Sequence, residues 1–153
     1  NRFEFGSKEG RPVKEKDTVD LSRGLMREAN LDTYLAQNES AFSDQDITAL
    51  LTKLYKRTGL SKAALARQAG MSEVYLHQVF SGRRKPSRDR LLCICVGMGA
   101  DLEETQQILK RAAYARLYPR HRRDAIICHG ILHQTPLGEI NDKLFQENEK
   151  TLL

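Results

Sequence analysis

Apolar positions recur along most of this chain at the spacing of an amphipathic helix. Ile47, Leu50, Leu51, Leu54 and Tyr55 form the clearest stripe. Thr58-Gly59 ends that helix, and Ser61 caps a second whose apolar side is Ala64, Leu65 and Ala69. Gly70 breaks the second helix. Ser72 caps a third, with Val74 or Tyr75, then Leu76, Val79 and Phe80 along it. "SGRRKPS" (81–87) stops the third helix. Ser87 starts a fourth, bearing Leu91, Leu92, Ile94, Cys95 and Met98, and Gly97 and Gly99 end it. Asp101-x-x-Glu104 caps a fifth with Leu102, Ile108, Leu109 and Ala112. After "ARLYPRHRR" the pattern predicts helices at about 122–134 and 136–147, the last capped by Thr135 with Pro136 in its first turn. Upstream, Ser43-x-x-Asp46 has capping-box spacing, and Leu31, Tyr34 and Leu35 predict a short helix. The chain to about Asp20 is polar, aperiodic and reads as a tail. No alternating strand pattern is present, so the expected fold is all-α.

One part of the pattern occurs twice. "RDRLLCICVGMGADLEETQQIL" (88–109) and "RDAIICHGILHQTPLGEINDKL" (123–144) align without a gap at an offset of 35 residues. Arg88 meets Arg123, Asp89 meets Asp124, Cys93 meets Cys128, Glu104 meets Glu139 and Leu109 meets Leu144. Two copies are too few for a free-standing solenoid, so the second hairpin is expected to pack on the first and extend its core. The organisation is then a polar tail and short helix over 1–45, a five-helix domain over 46–113, and a C-terminal helical hairpin over 114–153 that repeats the domain's last two helices.

Charge sharpens this division. The net +5 comes from residues 47–100, which hold 10 basic against 2 acidic groups. Residues 1–46 hold 7 against 10, and residues 101–153 hold 8 against 8. Positive charge concentrated in one third of a chain is expected to attract a polyanion. The longest nearly uncharged run, "LLCICVGMGA" (91–100), is too short to span a bilayer, and the opening residues lack an apolar signal stretch. Three cysteines, an odd number without framework spacing, point to the cytoplasm rather than to a disulfide scaffold.

The basic region contains "LSKAALARQAGMSEVYLHQVFSGRRKPS" (60–87), two short helices joined by a tight turn. Ala66 is small where the helices approach, Gly70 permits a left-handed backbone, Met71 plugs the corner and Ser72 caps the next helix. Leu65-Ala66, Gly70, Met71, Ser72, Leu76, Gly82, Pro86 and Ser87 resemble, without a gap, the helix-turn-helix of the lambda-repressor-like, or Xre-type, DNA-binding family of bacterial and phage-like regulators. The resemblance implies that the start of the third helix and the turn after it face base edges. Here those positions are Glu73, Val74 and Gln78, with His77 nearby. It also implies phosphate contacts from Lys62, Ser72, Arg83, Arg84 and Lys85. By base-edge chemistry Gln78 suits adenine, Val74 a thymine methyl and Glu73 a cytosine amino group. Two positions depart from the family: Lys62 stands where it often has Gln, and Phe80 where it commonly has Glu.

Other chemistry finds less footing. Cys93, Cys95, Cys128, His129 and His133 match no common closed zinc site, and Cys93 and Cys128 are repeat-equivalent positions flanked by aliphatics. No nucleophile accompanies Asp124 and His129, and no glycine-rich phosphate loop is present, so neither enzyme activity nor a cofactor is expected. Arg120, His121, Arg122 and Arg123 read as a solvated linker. The implied function is a sequence-specific regulator of transcription bound to double-stranded DNA, as a homodimer on half-sites about one helical turn apart. The alternative is an adaptor or antitoxin-like module, meeting a protein partner through Glu73, Tyr75 and His77, through the N-terminal segment or through the C-terminal hairpin.

Overall fold

The structure, a computed structural model, describes residues 18–27, 30–37 and 44–153, and every regular element among them is an α-helix. Two compact units separate near residue 42. The first pairs α1 (Thr18–Arg27) with α2 (Leu31–Gln37). Asn30 caps α2 by accepting the Thr33 N–H at 3.1 Å, and the buried Tyr34 donates its hydroxyl to the Leu21 carbonyl. Two helices therefore stand where the pattern predicted one, and Thr18–Asp20 belong to a helix rather than to the tail. Of the predicted stripe only Tyr34 is buried; Leu31 and Leu35 are exposed. The Ser43-x-x-Asp46 box lies outside the described residues.

The second unit comprises α3 (Asp44–Thr58), α4 (Lys62–Ala69), α5 (Glu73–Phe80), α6 (Arg88–Met98), α7 (Leu102–Arg111), α8 (Arg122–Leu132) and α9 (Leu137–Gln146). Helix α6 is its axis, with Leu91 to Cys95 fully buried and α3, α4, α7 and α9 packed around it. Backbones meet at Gly97, where a Cβ would come within 3.2 Å of the Ala69 main-chain nitrogen and of Leu65 Cδ1. Gly97 is thus a contact residue inside α6. Gly99 alone ends the helix, at φ 69°. The Asp101–Glu104 box forms in both directions, at 2.8 and 3.0 Å. Thr135 does not cap α9. Its N–H closes the end of α8 on the Gly130 carbonyl, and Pro136 occupies the cap position without a side-chain bond.

The two hairpins α6–α7 and α8–α9 repeat each other beyond the sequence match. Arg88 Nε donates to the Ala115 carbonyl at 2.8 Å, and Arg123 Nε to the Lys150 carbonyl at 2.8 Å. The Gln106 side chain bonds the backbone of Leu117, as Asn141 bonds that of Leu152. Ala113 and Asn148 both adopt positive φ. Every one of these equivalences keeps the 35-residue offset, so the repeat runs over 88–117 and 123–152.

Between copies the arginines cross. Arg88 reaches Asp124 at 3.2 Å, and Arg123 grips Asp89 with two bonds at 3.1 and 3.2 Å. The helices cross in the same sense, α6 against α9 and α7 against α8. Such reciprocal contacts are those of an isologous interface, here built within one chain. Arg123 is therefore not part of a solvated linker, because it bridges the copies, while Arg122, though exposed, pairs at the surface with Glu147 and Glu149.

Candidate nucleic-acid interface

The candidate surface is built by the turn between α4 and α5. Ser61 opens α4 by accepting the Ala64 N–H at 3.1 Å. Gly70 closes it in the left-handed region (φ 69°), with Met71 N–H returning to the Ala66 carbonyl. The left-handed conformation is what calls for glycine here; a Cβ at this position would also displace the exposed tip of the Leu153 side chain, 2.6 Å away. Ser72 then caps α5 by accepting the Tyr75 N–H at 3.0 Å. Leu76 and Val79 fix α5 to the core, which turns its other face outward.

That outward face carries Glu73, Val74 and His77, all exposed, and the half-buried Gln78. Val74 is 68% exposed, unusual for a β-branched aliphatic on an otherwise well-packed helix. Glu73 and His77, one turn apart, approach to 3.5 Å. The Gln78 carboxamide oxygen accepts from Arg84 Nε at 2.9 Å. Ser72 is exposed at the start of α5.

The cations stand on either side of α5. Lys62, at the start of α4, places Nζ 4.7 Å from the ring centroids of both Tyr55 and Phe80, which meet edge to face at 5.4 Å. The two departures from the family pattern thus belong together: Phe80 supplies one of the two aromatic faces that hold Lys62. Arg83, Arg84 and Lys85 are exposed in the loop after α5. Lys85 Nζ lies 5.3 Å from the Tyr114 ring, whose hydroxyl anchors the loop through the Pro86 carbonyl. Sequence reasoning missed Arg90, whose guanidinium lies over the Tyr75 ring at 4.6 Å, the same ring that Arg84 approaches at 5.3 Å. Nothing local in the sequence announces this triplet, because it depends on the first turn of α6 bringing Arg90 to Tyr75.

The cysteines lie away from this surface and are buried. Burial pushes the Cys93 and Cys95 thiols up to about 12, and raises Cys128 as well. A folded-state value raised in this way leaves stability untouched below the unfolded thiol value of about 9 and lowers it as pH climbs from there toward about 12. At pH 8 a thiol-directed reagent is expected to leave the native protein unlabelled while it labels all three cysteines in denaturant. Fast labelling of the native state would contradict the burial. His129 and His133 stack on each other at 4.1 Å, both exposed. Among the described residues no group of three or more His, Cys, Asp or Glu side chains is placed to hold a metal ion, and no helix is long and apolar enough to cross a membrane.

Fold and surface together define a helix-turn-helix module, a DNA-binding and non-catalytic kind of fold. Residues 46–108 match the family model of the helix-turn-helix domain, consistent with the Xre, lambda-repressor-like kind that the sequence resembles. Neither a curated protein nor a solved structure matches the chain.

Proposed function

We propose that the protein is a sequence-specific regulator of transcription that occupies an operator in double-stranded DNA within the cytoplasm. The observation that carries this reading is α5 itself, anchored by Leu76 and Val79 while Val74, Glu73 and His77 stand free of the core. Val74, 68% exposed on a helix fixed to the core by its other face, would find an apolar partner in a thymine methyl of the major groove. Glu73 accepts from a cytosine amino group, and Gln78 and His77 meet base edges one turn further along. Lys62, Ser72, Arg83, Arg84 and Lys85 hold the phosphates on either side and set register rather than sequence choice. Residues 46–113 act as the DNA-binding domain, with residues 114–153 bracing it and residues 1–45 appended. A homodimer on two half-sites is the assembly that suits such a module.

Selection from a randomised duplex library at physiological salt tests this reading. The expected result is an enriched motif that disappears when Val74 and Gln78 are both changed to Ala. Absence of any enriched sequence would reject specific recognition and favour a protein partner for the same face.

A further inference from the structure

We propose that Arg84 is a positioning residue for base reading, which turns Gln78 so that its amide NH2 faces the groove and selects guanine. This rests on the DNA reading above and assigns Arg84 a task beyond holding phosphate.

Hydrogen-bond chemistry decides how Gln78 is turned. A carboxamide can be placed in either of two orientations related by a flip, and only its partners distinguish them. Arg84 Nε lies 2.9 Å from the Gln78 carboxamide oxygen. A guanidinium has donors and no acceptor, so the flipped arrangement would set two donors against each other. The oxygen must face Arg84, and the NH2 must point away from it.

The grip on Gln78 is double. Arg83 and Arg84 also donate their backbone N–H groups to the Gln78 main-chain carbonyl, at 2.9 and 3.2 Å. The residue is thus tied to the loop through both its backbone and its side chain. Arg84 is steadied in turn by the Tyr75 ring, with its guanidinium carbon 5.3 Å from the centroid. Arg90 lies over the same ring at 4.6 Å, which extends this cationic, aromatic support to the start of α6.

This arrangement changes what Gln78 offers. An unconstrained glutamine reads adenine at two points, accepting from N6 and donating to N7. With the oxygen already engaged by a cationic donor, the two amide hydrogens become the reading group. Guanine presents two adjacent acceptors, N7 and O6, in the major groove, and matches two donors better than adenine does. The Nη groups of Arg84 remain for a phosphate, so one residue links backbone position to base choice.

The test uses the full chain on duplexes carrying each base pair at the position where Gln78→Ala erases discrimination. The wild-type protein is expected to prefer guanine there by about tenfold. Arg84→Lys retains the charge but lacks the Nε–H donor, and is expected to cut that preference to about twofold or less, with an unchanged salt slope. Combining Arg84→Lys with Gln78→Ala adds no further loss at that position. In the free protein, the Gln78 side-chain amide is expected to show a lower heteronuclear NOE in Arg84→Lys than in the wild type. Preference retained in full by Arg84→Lys, or adenine preferred by the wild type, overturns the proposal while leaving DNA recognition standing. A wild-type protein with no base preference at any position overturns both, and is recognised because Gln78→Ala then changes nothing.

Discussion

Changing Lys62, Arg83 and Lys85 together to Ala is expected to weaken binding to double-stranded DNA by roughly a hundredfold at physiological salt. The plot of log affinity against log salt should flatten by nearly three units, about 0.9 for each phosphate contact removed. Lys62 belongs in the set because Tyr55 and Phe80 hold its ammonium before DNA arrives, which reduces the ordering cost of its contact. Arg83 and Lys85 are exposed in a loop that the Tyr114 hydroxyl pins at Pro86, so neither is needed for the fold. Thermal melting of the triple variant should stay close to that of the parent. Discrimination between the preferred and an unrelated duplex should also survive, because phosphate contacts carry no sequence information. Titrations at several salt concentrations decide the matter. A protein whose affinity ignores all three cations is not held by a polyanion at this face.

Asp124→Ala is expected to be the most damaging single change of a polar residue, at about 3 kcal/mol of stability. Its carboxylate is 8% exposed and serves two partners, the Arg88 guanidinium at 3.2 Å and the Tyr118 N–H at 2.8 Å. Removal leaves the Tyr118 N–H unsatisfied and strips a largely buried cation of its counter-charge, although Arg88 keeps the Ala115 and Arg116 carbonyls. In a unit of this size that corresponds to roughly 10 °C in melting temperature. The repeat-equivalent change, Asp89→Ala, should cost less. Asp89 is more exposed, at 21% against 8%, while each arginine keeps two backbone carbonyls when its carboxylate is lost. Denaturant titrations of both variants check the order. Equal losses would mean that the two ion pairs matter only through their charge.

The helical stripes of α3 to α9 and the caps of α4 to α7 were legible because they are local: each depends on residues within a turn or two. The turn of the reading motif was legible for the same reason, since Gly70 and Ser72 act on their immediate neighbours. What escaped the sequence depends on residues far apart. Gly97 looks like a helix end until α4 is set against it. The Thr135 and Pro136 pair offers two plausible caps, and the closing bond to Gly130 decides between them. The repeat was visible through its side chains over 88–109. Its continuation is carried by main-chain groups, the carbonyls of Ala115 and Lys150 and the N–H groups of Leu117 and Leu152, which leave little trace in residue identity. At the candidate site, positions facing outward followed from the motif. The support of Arg84 and Arg90 by Tyr75, and the orientation of Gln78, required coordinates for three elements at once.

Helix α6 belongs to two structures at the same time. One side supports α4 and, through the motif, the reading helix; the other receives the second hairpin, with Cys93 touching the Leu152 carbonyl. Local opening of α8 and α9 would wet the same buried run, Leu91 to Cys95, that underlies α4. In the language of amide exchange, the helix-turn-helix and the C-terminal hairpin then form one cooperative opening unit. Helix α5 is then expected to share the stability of the hairpin, and protection lost in α8 and α9 is expected to be lost in α5 as well.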